Sequence, residues 1–488
     1  MMAKIYISIL FFSLFLIHSN SLLFQDNLLA KLIEKEKYNN LMISPFSIYQ
    51  FLSLLANGAT GKTRNEVLQA FFPNKVIDKD TDTDALLNTI NLNMKEIMLN
   101  IELEDVGCPE GKDCKINLRD INTLFIKSYV KLEDKFTKVC EIYNTSYFEL
   151  MSVEQINKYV YEQTNGKIDN VITLLPPDVS LVLANIIYFK GAWVNEFSER
   201  DTQKKEFLNN DKTTVLIDTM NQDIFTEYYE DDKVQIISLP YKSHNLDFNM
   251  IIILPNLEKY STPSDYLNKE KISLSEIPSK LTNHESINLY LPKFKFNYSS
   301  LLRDLLTKIG IKSLYNSGEY DNLSKNTYIY MDDINHLTYI DVNENGTESA
   351  AVTIMYFNST KMLPEKTMNI NHGFIYMIQS NKIKDSEGNY LMPFIGIVNN
   401  LNEKGSIDNN SNDKSIDNNN PTDIKNENIK TDENIKSDEN INNDSIMSGD
   451  NDEGDDNEPV KFVPFQANAN KYKINLTIII YLLIILFF

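Results

Sequence analysis

Apolar positions early in the chain recur at helical spacing, and further along they alternate or run together as strands do. Gln25 to Lys37 sets Leu28, Leu29, Leu32 and Ile33 opposite charged residues, which predicts an amphipathic helix. Asn40 to Ile43 reads as a short strand. Ser44-Pro45 then opens a second helix, with a hydroxyl cap followed by a residue whose fixed φ suits the first turn. Ile48, Phe51, Leu52, Leu54 and Leu55 make that helix so apolar that it must be buried, and it stops at Asn57-Gly58. Thr63-Arg64-Asn65-Glu66 has the form of a capping box for a third helix reaching Phe71, and Asp82 to Asn100 reads as another. Ile116 to Tyr129 and Leu181 to Phe189 read as core strands, with a helix at Gln155 to Glu162 between them. Val234 to Leu239 and Phe248 to Leu254 are consecutive strands around a turn at His244-Asn245. Leu289 to Phe296 is a further strand, followed by an amphipathic helix from Leu301 to Ile309. The sum is α+β, with helices mainly early and strands mainly late.

Asp341 to Pro364 has a different kind of pattern. It begins like a strand leaving a sheet and can turn at Asn345-Gly346. Small residues follow, and then Val352 to Phe357, rich in β-branched and aromatic side chains. Read with period two, one face carries Thr347, Ser349, Ala351, Thr353, Met355 and Phe357, none of them charged. No proline interrupts before Pro364, so every backbone N–H up to there could join a ladder. The segment is able to sit in the middle of a sheet.

The ends of the 488-residue chain change the picture. Lys4 precedes the apolar run Ile5 to Ile17, and Ser19 and Ser21 are small enough for signal-peptidase cleavage, giving a signal peptide over residues 1–21. That implies a secreted or extracellular protein in an oxidising compartment. At the far end, Ile474 to Phe488 would make a helix of about 22 Å, short of the roughly 30 Å of a hydrocarbon core. Ala467, Asn468 and Ala469 lie upstream, as at a glycosylphosphatidylinositol attachment site. Residues 467–488 therefore read as a lipid-anchor signal or a tail anchor, which would tether the protein to the outer cell surface. Residues 401–466 are acidic and rich in Asn and Asp, with repeats such as IKNEN, IKTDEN and IKSDEN, and over half of the net charge of −21 falls within them. Such a composition cannot bury enough apolar area to fold and suits a disordered stalk. The acidity argues against nucleic-acid binding. Residues 22–400 remain as a single large globular domain.

Chemistry-bearing motifs are sparse. Gly58-Ala59-Thr60-Gly61-Lys62-Thr63 imitates the end of a phosphate-binding loop, but Ala56 stands where its first glycine belongs and a buried helix precedes it. No Gly-x-Ser-x-Gly or His-Glu-x-x-His occurs, and the five histidines are scattered, so no catalytic residue, metal site or cofactor is expected. Cys108 and Cys114 flank a Pro/Gly turn and read as a local disulfide, whereas Cys140 shares a helical face with Phe136, Val139 and Tyr143 and reads as a buried thiol.

The chain resembles the serpins over nearly all of Leu22 to Asn400. The pieces that carry the resemblance are NLMISPFSI (Asn40 to Ile48), ANGATGKT with its helix, EQTNGKI (Glu162 to Ile168), LVLANIIYFKGAW (Leu181 to Trp193), LPYK (Leu239 to Lys242), LPKFKF (Leu291 to Phe296), VNENGTESAA (Val342 to Ala351) and PFIGIVNN (Pro393 to Asn400). The resemblance implies about nine helices, three β-sheets and an exposed reactive-centre loop at about residues 344–364. It also implies no enzymatic activity, but suicide inhibition. A target serine protease cleaves the loop and forms an acyl-enzyme, and the cut loop inserts as a new central strand that drags the protease along.

Matching by position makes Glu344, Gly346 and Thr347 the hinge, with Ser349, Ala350 and Ala351 the small-residue run of inhibitory members. Ser44, Ser47, Asn185 and His336 match the polar cluster beneath the sheet where it must part. Trp193, Lys293 and Glu344 match the region where the loop first enters, with Lys293 and Glu344 as an ion pair. The family's spacing from Gly346 puts the scissile bond at Thr360–Lys361, suiting an elastase-like pocket, or one residue later at Lys361–Met362, suiting a trypsin-like one. Asn144, Asn297, Asn322, Asn345 and Asn358 begin glycosylation sequons, and a glycan on Asn345 or Asn358 would crowd the hinge or the scissile bond. The expected protein is a monomeric inhibitor. The alternatives are a non-inhibitory member acting as a binding or chaperone module, and a surface coat protein in which the stalk matters most.

Overall fold

The computed structural model describes residues 20–405, apart from 37, 74, 107–115, 170, 244–245, 316–318, 326–328, 330, 332–333, 348–363, 365 and 384–389. Ser349, Ala350, Ala351, Asn358, Thr360, Lys361, Met362, Cys108, Cys114, the signal run and nearly all of the stalk and anchor lie outside the described residues.

In chain order the first elements are α1 (Asn20–Lys35), β1 (Leu41–Ile43), α2 (Pro45–Gly58), α3 (Gly61–Phe71), α4 (Thr83–Val106), β2 (Asn117–Ile126), α5 (Asp134–Ile142), β3 (Ser146–Glu149), α6 (Val153–Gln163) and β4 (Leu181–Ala192). There follow β5 (Gln203–Leu208), β6 (Thr214–Glu230), β7 (Val234–Pro240), β8 (Phe248–Pro255), α7 (Pro263–Glu270), α8 (Ile277–Lys280), β9 (Asn283–Pro292), β10 (Phe294–Leu301) and α9 (Leu302–Lys308). The last are β11 (Asn335–Asn343), β12 (Gly346–Thr347), β13 (Lys366–Asn369), β14 (Phe374–Ser380) and β15 (Phe394–Val398).

Ser44 caps α2 as expected, its hydroxyl accepting from the Ser47 N–H with Pro45 in the first turn. The capping box expected at Thr63–Glu66 does not form. Helix α3 starts earlier, at Gly61, whose positive φ of 50° turns the chain into it. Thr63 and Glu66 serve other backbone groups instead, Thr63 Oγ1 accepting from the Glu319 N–H and Glu66 from the N–H groups of Lys312 and Ser313. The single strand expected over Leu289 to Phe296 is two, β9 and β10, broken at Lys293, whose N–H bonds to the Asp218 carbonyl.

Described strands form two hydrogen-bonded networks. The smaller has the order β10-β11-β12-β4-β2-β3, and the larger runs β1-β15-β14-β8-β7-β6-β9-β13 with β5 on β6. The three sheets that the resemblance implies are present as two networks because the 17-residue β6 is shared: it pairs with β5, β9 and β7 in succession along its length. Helix α2 lies between the networks, touching β4 and β15, and all of its residues but Tyr49 and Asn57 are buried. Strand β4 is buried on both faces. Leu183, Ile187 and Phe189 join the main core, while Val182, Ala184, Ile186 and Tyr188 pack with Ile156 and Val160 of α6. That is why its sequence runs apolar without alternation.

Candidate functional site

The smaller sheet is forked. At one end β11 and β4 are direct parallel neighbours, Asn335 to Tyr339 opposite Ala184 to Tyr188. At the other end β12 sits between them, antiparallel to both: Thr347 pairs with Val342 and Gly191, and Gly346 with Asn343 and Ala192. The sheet therefore already holds the first two residues of an inserted strand, and full insertion requires Asn335–Tyr339 and Ala184–Tyr188 to separate by one more strand spacing of about 4.8 Å. Gly346 has φ +146°, and a Cβ there would lie 2.1 Å from the Gly191 carbonyl oxygen, so this turn requires glycine.

Around the open end, aromatic packing and one ion pair hold the turn. Trp193 is buried and stacks on Tyr241, with ring centroids 4.5 Å apart and planes 14° apart. Its indole N–H donates to the Asn343 carbonyl at 3.0 Å and its backbone N–H to the Asn345 carbonyl at 3.0 Å. The Tyr241 and Thr347 hydroxyls are bonded at 2.7 Å. Lys293 at the β9–β10 corner reaches Glu344 Oε2 at 2.8 Å, and Thr202 Oγ1 donates to Oε1 at 2.8 Å. Burial alone would raise the Glu344 pKa, but the bonds from Lys293, its own backbone N–H and Thr202 outweigh it and hold the carboxyl below its ordinary range. Trp193, Lys293 and Glu344 are thus brought together, joined by Tyr241, Thr202 and Asn343, for which sequence reading gave no role.

Beneath the closed end lies the polar cluster. The Ser44 N–H donates to His336 Nε2 at 3.0 Å, which leaves the imidazole proton on Nδ1 for Asn185 Oδ1 at 2.7 Å. Asn185 Nδ2 donates to Ser47 Oγ at 2.6 Å and to Asn122 Oδ1 at 2.7 Å. Ser47 Oγ in turn donates to Asp120 Oδ1 at 2.6 Å, and Asn122 Nδ2 reaches the same oxygen at 3.3 Å. Burial pushes the His336 pKa down to about 3, so the ring is neutral. It pushes the Asp120 carboxyl up to about 7 against the bonds from Ser47 and Asn122. The four residues expected here are assembled from α2, β4 and β11. Asn122 and Asp120 were missed, because sequence reading took their segment only as an alternating strand. Two polar residues at i and i+2, on the face that also carries Leu118 and Leu124, were the available signal.

Among the other sequence-predicted positions, Asn144, Asn297 and Asn322 are exposed and Asn345 is half-buried. Cys140 is a buried free thiol, its pKa raised to about 12 by burial.

The sheet holds the two-residue strand β12 at one end of the gap between β11 and β4, and a buried polar cluster lies at the other. Comparison with known proteins gives the family. A family model described as Serpin (serine protease inhibitor) matches residues 20–398, and the chain belongs to the serpins. It is 30% identical over 351 residues to an uncharacterised serpin-like protein of Thermococcus kodakarensis, covering 70% of this chain and 77% of the relative. It is also 30% identical over 380 residues to the leukocyte elastase inhibitor of Equus caballus, covering 73% and 94%. Among solved structures, thyroxine-binding globulin in complex with thyroxine superposes with a TM-score of 0.65 at 23% identity, covering 78% of this chain and 98% of that one. The native thermophilic serpin tengpin gives 0.64 at 24%, covering 78% and 93%. These two likenesses speak for the fold alone.

Proposed function

We propose that this serpin is a secreted or cell-surface inhibitor of a serine protease, acting once per molecule by loop cleavage and insertion. The observation that carries the reading is β12, Gly346–Thr347, paired on both sides between β11 and β4. A loop whose first residues already occupy the sheet needs only cleavage and parting of the strands below to continue inward. The residues that follow, Ser349, Ala350 and Ala351, are small enough to pass between the strands. The horse relative is a leukocyte elastase inhibitor by name, which favours cleavage at Thr360–Lys361 for an elastase-like partner. Lys361–Met362 remains the bond for a trypsin-like one.

Mixing the deglycosylated protein with elastase and with trypsin tests this. A one-to-one complex that survives denaturant with either protease supports inhibition, and mass spectrometry of the released C-terminal fragment names the bond. Quantitative loop cleavage with no complex would favour a second reading, a non-inhibitory binding module. The Asn345 sequon supports that reading, since it begins at the hinge turn that must enter the sheet. Release of the native protein from cells by phospholipase tests the proposed lipid anchor.

A further inference from the structure

We propose that Asp120 is a positioning residue of the sheet-opening cluster whose proton keeps the closed sheet docked on α2, so that loss of this proton eases parting of β4 from β11. The proposal rests on the insertion reading above. Its basis is an asymmetry at one carboxyl group. Oδ1 accepts from both Ser47 and Asn122, whereas Oδ2 is shut off from solvent and has no hydrogen-bond partner. Such a pattern suits a carboxylic acid with a carbonyl-like Oδ1 and the proton on Oδ2. In the ionised group the same Oδ2 would be a buried anionic oxygen with nothing to solvate it, and that is the costlier state.

No described cation faces the group to compensate. Helix α2 contributes Ser44 and Ser47 and contains no charged residue. Strand β2 contributes Asn122, β4 contributes Asn185, and β11 contributes only the neutral His336. Lys190 of β4 and Asp341 of β11 alternate onto the opposite faces of their strands from Asn185 and His336.

The mechanical link is the pairing. Asp120 lies opposite Ile187 and Asn122 opposite Asn185, so β2 and β4 move as one unit when β4 leaves β11. That movement carries Asp120 past Ser47, which stays with α2. The bond from Ser47 Oγ to Asp120 Oδ1 is therefore one that opening must break or exchange, while the bond between Asn122 and Asp120 travels with the strand. Since burial raises this carboxyl, its stabilisation of the closed sheet is fully present below the ordinary Asp range and fades as the pH rises towards about 7. Glu344, held below the ordinary carboxylate range, titrates below this window, whereas His336, pushed down to about 3 only while buried, works in the opposite sense below its ordinary value of 6.5 if opening exposes it.

The test uses the full chain and a synthetic peptide with the sequence of residues 347–357 as the inserting strand, with uptake read as appearance of heat-resistant protein between pH 5.5 and 8.5. Uptake by the wild-type protein is expected to be about tenfold faster at pH 8.5 than at 5.5, the factor that corresponds to one pKa unit. Asp120→Asn is expected to be slow, with no rise in rate above pH 6.5, and His336→Gln to show a rise at least as steep as that of the wild type. Equal wild-type rates across the range, or an unchanged slope in Asp120→Asn, would overturn the proposal and leave the insertion reading intact. Absence of uptake at any pH in the wild type would overturn both. Should Asp120→Asn not fold, infrared spectroscopy of an Asp26→Asn background decides, because Asp26 is the other described carboxyl that burial raises. A protonated carboxylic acid band at pH 6 that is lost above neutrality supports the proposal, and its absence at pH 6 contradicts it.

Discussion

The two ends of the gap between β11 and β4 are held by opposite strategies. At the open end a carboxylate, Glu344, is paired with Lys293 and Thr202 and flanked by the Trp193–Tyr241 stack, so charge and aromatic area secure the turn together. At the closed end a carboxyl, Asp120, has no described cation and takes part in a chain of neutral hydrogen bonds through Ser47, Asn185 and His336. Burial acts on both groups. Partners outweigh it at the open end and fail to at the closed end, so the two pKa values move in opposite directions. An open end that only has to hold a turn can use strong, fixed contacts. On the proposed insertion mechanism the closed end has to come apart, and bonds that exchange partners serve that better.

Substitutions at the two ends should separate these roles. The largest expected effect on stability is Trp193→Ala, which removes a fully buried indole, its stack on Tyr241 and its bond to Asn343. A loss of about 3–5 kcal/mol in the unfolding of the uncleaved protein is expected in denaturant titration. Next is His336→Ala, which leaves the Ser44 N–H and Asn185 Oδ1 without their partners. Its expected cost is about 2 kcal/mol or more in the same measurement. It should also raise the rate of spontaneous loop insertion, which Trp193→Ala has no direct route to do.

How much of this was legible in the sequence follows the same division. Ser44, Ser47, Asn185 and His336 were found because the family resemblance supplies positions, and Lys293 with Glu344 because opposite charges at matched positions suggest a pair. Asp120 and Asn122 were not, since their one signal, two polar residues on the face of Leu118 and Leu124, does not say that a helix covers that face. Tyr241 lay in plain sight within LPYK, but its bond to Thr347 joins residues 106 apart in sequence, and only the fold brings them together. The break at Lys293 was hidden because β9 and β10 form one continuous β-type run in the sequence, although they belong to different networks.

The smallest expected effect is Glu344→Gln. Lys293 is over a third exposed, so solvent screening limits the loss to about 1 kcal/mol, shrinking further in high salt. Because the Glu344 carboxyl is held below its ordinary range, its contribution is present at neutral pH and is lost as pH falls through that range. The difference in stability between wild type and Glu344→Gln should therefore close on acidification. A gap that widened on acidification would contradict the ion-pair account. Asp120→Asn should likewise differ least from wild type at pH 5.5 and most at pH 8.5, but with the opposite sign, the variant being the more stable closed form.

The central claim is that the loop completes the strand begun at Gly346–Thr347. The most direct measurement is the thermal unfolding of the intact protein beside that of the same protein cut once within the loop by a protease it does not inhibit. Insertion predicts that the cut form unfolds at a distinctly higher temperature and no longer takes up the synthetic loop peptide. A cut form that unfolds at the same or a lower temperature, with peptide uptake unchanged, would contradict it.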